Sequence, residues 1–264
     1  MRAVAEGATL AGGVRVLALL LAAYLVLGQP VVGWWSARRQ REDRRPGARR
    51  RRYLRTTMLE WVLAALAVGL VLAAPGLDLG DLGVAWPRAS AYTVVGALGL
   101  VLSVGLLAGL RRRVDRGVRV VAPAEVDALL PRTAAERRGF SRLALTAAVC
   151  EELLYRGFLL AVVVAEAPEL GPGRLVLVSA LAFAVAHTYQ GVAGMLTAGV
   201  LGAGFAVLFL GTGSLLLPVL YHLLIDLRLL VLSVHSPRHR AGPARTFSPR
   251  PPPGARADSP HGSA

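Results

Sequence analysis

The sequence predicts an all-α membrane protein: a bundle of about seven transmembrane helices with a conical, cytoplasm-facing polar cavity. Three observations carry that expectation. The 264 residues are 55% hydrophobic and only 6% aromatic, with mean hydropathy +0.54, a combination rare in soluble domains. Apolar runs long enough to span a bilayer recur along the chain. The arginines between those runs alternate from rich to poor.

The runs fall at 14–35, 58–74, 92–110, 143–165, 175–190, 192–210 and 215–233. The first lacks a basic leader and a small-residue cleavage site, so it reads as a retained amino-terminal span within 1–35. Residues 36–57 read as an Arg-rich cytoplasmic loop anchored on anionic lipid. Residues 58–142 then hold two spans and a cytoplasmic linker. The stretch Thr133-Ala-Ala-Glu136 fits a capping box, from which a helix runs into the fourth span. Residues 143–233 form the polar-bearing core. The fifth run is the weakest, because Tyr189, Gln190 and Gly191 interrupt it. Residues 234–264, rich in Pro and Arg, read as a disordered cytoplasmic tail.

Charge orients the bundle. Segments 36–57 and 111–142 carry ten and nine Arg, whereas 75–91 and 166–174 carry one each. The rich segments therefore share the cytoplasmic side, with the amino terminus outside and the carboxyl terminus inside. The net charge of +14 comes from Arg without Lys, as in a high-GC bacterial genome. Its placement beside apolar runs points to plasma-membrane lipid and away from nucleic acid. The lone Cys150 precludes an internal disulfide and reads as an apolar filler. No repeat of two halves is apparent, which disfavours a symmetric transporter. No oligomeric state follows from the sequence.

Within this apolar background stand three polar clusters. Glu151, Glu152 and Arg156 lie on the fourth span, His187 at the end of the fifth, and His222 with Asp226 on the seventh. An ionisable group at a helix centre costs about 2.5 to 3.5 kcal/mol on the translocon scale, so such groups read as functional. Glu152 and Arg156 are spaced i,i+4 in the favourable order for an ion pair. Glu151 points about 100° away and lacks a local partner. It lies about 12 Å into its span at 1.5 Å per residue, near the depth of both histidines. A carboxylate and an imidazole there suit the activation of one water. A second imidazole beside an acid suits an oxyanion site. Two His with two carboxylates also suit Zn²⁺, although no HExxH is present.

These residues resemble a known family. Glu151-Glu152-x-x-x-Arg156, Phe183-x-x-x-His187 and His222-x-x-x-Asp226 are similar, in order and interval, to the motifs of the CPBP family. That family comprises the CAAX proteases and Abi-type bacteriocin-processing or immunity proteins. Leu130-Pro131 before the fourth span and Gly211-Thr-Gly-Ser214 before the seventh agree. The resemblance covers about 130–232. It implies an intramembrane glutamic endopeptidase cutting near the carboxyl terminus of a membrane-anchored protein or peptide, with no cofactor and no metal. It implies that Glu151 and His187 activate water, that His222 and Asp226 form the oxyanion site, and that Glu152 and Arg156 support them. Tyr155 stands where Phe is common. Asp226 stands where the eukaryotic enzymes have Asn, and an ionised Asp is a poor oxyanion donor. The alternatives are a non-catalytic immunity or scaffold protein, a proton-linked transporter and a metal-dependent protease.

Overall fold

A computed structural model describes residues 10–43, 45, 47–118 and 130–233, and these contain helices and connections without a strand. The Pro/Arg-rich tail expected over 234–264, and residues 119–129 of the linker, lie outside the described residues. The helices form seven rods. The first is α1 (Gly12–Ala23), a π turn (Tyr24–Gly28) and α2 (Gln29–Glu42). The second is α3 (Ala48–Leu72) and the third α4 (Ala91–Asp115). The fourth is α5 (Ala134–Glu152), a π turn (Leu153–Phe158) and α6 (Leu159–Glu166). Then come α7 (Pro172–Ala186), α8 (Gly191–Thr212) and α9 (Leu216–Ser233).

Four stretches are long and apolar enough to cross a membrane by length and composition: Gly12–Arg39, Ala48–Leu72, Ala91–Asp115 and Thr188–Thr212. The other three rods depart from that pattern for visible reasons. The fourth carries Glu151, Glu152 and Arg156, and α9 carries His222, Asp226 and Arg228. Helix α7 has only 15 residues.

The segment 36–57, read as a loop, is largely helical: α2 runs to Glu42 and α3 starts at Ala48. Arg is a good helix former, and the chain breaks where Gly47 takes φ 74°. The capping box at Thr133 forms in modified shape. Its hydroxyl accepts from the Glu136 amide at 3.1 Å. Glu136 reaches one residue further back, accepting from the Arg132 amide at 2.8 Å.

The rods run up and down. Arg15 forks onto Glu166 at 2.8 and 2.7 Å, joining the start of the first rod to the end of the fourth. At the opposite end Arg49 lies 3.6 Å from Glu136, and the Tyr53 and Phe140 rings meet edge to face. The starts of α3 and α5, both Arg-bearing, therefore share one end of the bundle. Midway along the same two helices the Trp61 indole donates to the Thr146 hydroxyl at 3.2 Å. Helix α4 packs on α8 and α9, where the Tyr221 hydroxyl donates to the Gly96 carbonyl at 2.9 Å. Its Val94, Val95, Leu98, Val101 and Leu102 are exposed, as suits a lipid-facing surface.

The π turn in the first rod follows from Pro30. The Gln29 amide bonds to the Tyr24 carbonyl, five residues back. The next carbonyl, Leu25, would receive Pro30, which has no N–H. That orphaned carbonyl instead accepts the buried Tyr155 hydroxyl at 3.2 Å. The fourth rod is thereby tied to the first just beyond the glutamate pair.

Candidate active site

Residues on four rods converge beside the second π turn. Such turns change helical register and are frequent at functional sites. Here the turn begins immediately after Glu152 and contains Tyr155, Arg156 and Gly157, all buried. Its close fit needs a glycine: a Cβ on Gly157 would lie 2.7 Å from the Leu82 carbonyl oxygen of the α3–α4 connection.

Glu152 and Arg156 are both fully buried and pair at 3.0 Å, as their spacing predicts. Arg156 also donates to the Gly202 carbonyl at 3.3 Å. Its guanidinium lies over the Phe183 ring at 4.2 Å and nearer the Phe205 ring than 6 Å, at 5.4 Å. A Cβ on Gly202 would stand 3.0 Å from the guanidinium, so that glycine lets α8 approach the arginine.

Glu151 takes a different environment. Its Oε2 lies 3.8 Å from His187 Nε2 and 4.0 Å from His222 Nε2. Both distances exceed hydrogen-bond reach. The same oxygen is buried with no hydrogen-bond partner. Glu151 is thus free of the Arg156 pair, as the helical angle between the two glutamates requires.

Each imidazole is oriented through its other nitrogen. His187 is the residue capping α7, at φ −98°. Its Nδ1 sits 2.8 Å from the Phe183 carbonyl. A carbonyl only accepts, so Nδ1 carries a hydrogen, and in the neutral form the ring turns its Nε2 lone pair toward Glu151. Phe183 packs against this ring at 4.4 Å and against the His222 ring at 6.0 Å. The aromatic residue of the Phe183-x-x-x-His187 motif is therefore the wall between the two imidazoles and the arginine.

His222 has a nearer partner than the one its sequence spacing suggests. Nδ1 donates to Glu152 Oε1 at 2.8 Å. Asp226, one turn away, lies 3.9 Å from Nε2, too far for a hydrogen bond. One carboxylate oxygen of Glu152 therefore serves Arg156 and His222 together, while Nε2 of His222 faces Glu151 and Asp226. Phe205 stacks on the His222 ring at 5.5 Å and 21°.

A further carboxylate comes from outside the motifs. Glu60 on α3 is only 3% exposed, and its Oε2 has no hydrogen-bond partner. It lies within electrostatic range of Glu151 and Asp226, next to the Trp61–Thr146 link that fastens α3 to α5. The available signal was an acidic residue near the start of the apolar run 58–74. Cys150 is fully buried and free, as expected of a filler. Among the described residues, no three His, Cys, Asp or Glu side chains are grouped to hold a metal ion.

Residues 138–228 match the model of the family described as type II CAAX prenyl endopeptidase Rce1-like. That stretch contains Glu151, Glu152, Arg156, Phe183, His187, His222 and Asp226, but not Glu60. No curated protein and no solved structure matches the chain.

Proposed function

We propose, from the match of residues 138–228 to the Rce1-like model of type II CAAX prenyl endopeptidases, that this chain is an intramembrane, metal-independent glutamic endopeptidase. It hydrolyses a peptide bond near the carboxyl terminus of a membrane-associated protein or peptide. The observation that carries this reading is the unpartnered Glu151 Oε2 opposite the bare Nε2 of His187, 3.8 Å away. Two acceptors at this separation suit a single shared water.

In this reading one water donates to both Glu151 and His187. Its oxygen attacks the scissile carbonyl carbon, and the proton it loses is taken by Glu151. The carbonyl π electrons move to oxygen and form an oxyanion. Cationic His222 donates both N–H groups, Nδ1 to Glu152 and Nε2 to that oxyanion. Collapse of the intermediate breaks the C–N bond, and the proton held by Glu151 passes to the leaving amine. Glu152 acts through its neighbours: it neutralises Arg156 and, by accepting from Nδ1, orients the His222 ring. Asp226, facing the same Nε2, balances the imidazolium. The Phe183 and Phe205 rings supply low-dielectric walls, in which these charge interactions gain strength.

The proposed setting is the plasma membrane, with the Arg-rich ends of α3 and α5 in the cytoplasm and the seven rods as spans. Domain limits follow: an amino-terminal span, an Arg-rich connection, two spans, and a catalytic core over 143–233. Comparative analysis of protein carboxyl termini in cells carrying wild type or Glu151→Gln tests the activity and finds the substrate. New carboxyl termini should depend on Glu151. Identical sets of termini would refute the reading.

A further inference from the structure

A second polar site involves none of the glutamate machinery. Between the end of α2 and the start of α3 is a cavity of about 980 Å³, lined by Arg39, Arg45, Arg51, Arg52, Arg55, Trp35 and Asp43 among others. Among the described lining residues, five guanidinium groups thus face one carboxylate. That carboxylate is already engaged: Asp43 accepts from Arg45 at 2.9 and 3.1 Å, and those hydrogen bonds hold its pKa down at about 2. Asp43 is therefore ionised at neutral pH and engaged by Arg45, with Arg51 also 3.8 Å away. The Arg39 guanidinium carbon lies 3.6 Å from the centre of the Trp35 ring, a cation–π contact at the cavity wall.

Position selects the ligand. The cavity sits where one candidate span ends at Arg39 and the next begins at Ala48. In a bilayer crossed by both stretches, that is the level of the headgroups. Trp34 and Trp35 are half exposed there, at 51% and 50%, as in the aromatic belt of a membrane interface. Guanidinium forks match phosphate oxygens bidentately, and basic pockets between spans bind anionic headgroups. We propose that this cavity is a discrete binding site for the phosphate headgroup of one anionic membrane lipid. It is more than the diffuse attraction that an Arg-rich segment exerts on a charged surface.

The site also adjoins the glutamate centre. Helix α2, whose Trp35 and Arg39 line the cavity, also reaches Tyr189, whose ring lies 5.7 Å from that of His187. Gly33 of α2 packs against the same tyrosine, with room for a Cβ only 3.3 Å from its ring. A headgroup held by Arg39 therefore sits on the helix that packs against the turn presenting His187. The binding itself does not depend on the proposed peptidase activity.

Native mass spectrometry of the delipidated full-length protein, titrated with phosphatidylglycerol or phosphatidylcholine in detergent, tests this site. Wild type should retain one phosphatidylglycerol in preference to phosphatidylcholine. Arg39→Gln with Arg55→Gln should weaken that binding roughly tenfold or more, at about 1 kcal/mol for each arginine. The matching Lys pair, which keeps charge and lowers the risk of misfolding, should weaken it less. Arg111→Gln with Arg112→Gln, at the end of α4, should leave it unchanged. Equal loss in the Gln pairs at both places would overturn the proposal in favour of diffuse attraction. So would wild type without preference for phosphatidylglycerol. Displacement of the bound lipid by millimolar inorganic phosphate would assign the cavity to a soluble anion instead.

Discussion

His222 Nδ1 lies 2.8 Å from Glu152 Oε1, although seventy residues separate the two. The same oxygen receives Arg156 at 3.0 Å. Glu152 is thus a junction between a buried cation and the orientation of an imidazole. Breaking one side of a fully buried pair leaves a charge without compensation and costs about 3 to 5 kcal/mol. Glu152→Gln should therefore destabilise the protein by roughly that amount and lower cleavage with it. Thermal unfolding in detergent and a cleavage assay read the two effects.

Tyr155 offers a milder test. Its hydroxyl answers the Leu25 carbonyl that Pro30 leaves without a donor. Tyr155→Phe should cost about 1 to 3 kcal/mol of stability, the penalty of a buried acceptor left unsatisfied. Cleavage should persist, because the ring still packs on Phe183 at the edge-to-face distance of 5.4 Å. An unchanged unfolding midpoint would mean that the carbonyl finds another donor.

Gly202→Ala places a methyl group 3.0 Å from the Arg156 guanidinium and 3.2 Å from Phe183. The arginine has no room to retreat, being fully buried between two rings. Overpacking of this kind costs about 1 to 3 kcal/mol. The variant should also lose activity, because Arg156 and Glu152 move together. Gly204→Ala on the same helix, where a Cβ meets nothing within 4 Å, is the control and should behave as wild type.

Glu60 separates stability from activity. A buried carboxyl oxygen without a partner is a liability to the fold. Glu60→Met should raise the unfolding midpoint while lowering cleavage severalfold, the trade-off seen where a destabilising group serves function. A variant that is less stable, with cleavage intact, would make Glu60 a structural residue.

Much of this arrangement was legible in the sequence. Each apolar run overlaps one of the seven rods, but the Arg-rich flanks hid the true ends: α3 starts ten residues before its run and α5 nine, because Arg continues a helix without adding to an apolar pattern. Glu151, Glu152, Arg156, His187, His222 and Asp226 stood out because ionisable groups are costly there, and the structure brings them together. The Glu152–Arg156 pair was readable because one helical turn fixes it. What stayed hidden depended on contacts between distant segments. The His222–Glu152 bond joins two rods, so spacing alone favoured Asp226, the neighbour on its own helix. Glu60 stands at the edge of its apolar run, where an acidic residue reads as a boundary. The π turns are backbone events. Pro30 explains the first only once the backbone is seen, and nothing local marks the second. The roles of Gly157 and Gly202 arise only from what packs against them.

The central claim is that Glu151 draws the proton from the attacking water, without a metal. The most direct measurement is the cleavage rate of a membrane-anchored reporter, bearing a candidate carboxyl-terminal sequence found in the cellular comparison, by the purified protein in lipid nanodiscs with excess chelator. Wild type should cleave at full rate under chelation. Glu151→Gln, with an unchanged unfolding midpoint, should be slower by about 10²- to 10⁴-fold, the usual contribution of a positioned general base. Cleavage by Glu151→Gln at the wild-type rate, or loss of wild-type cleavage on chelation with recovery on adding metal, would contradict the account.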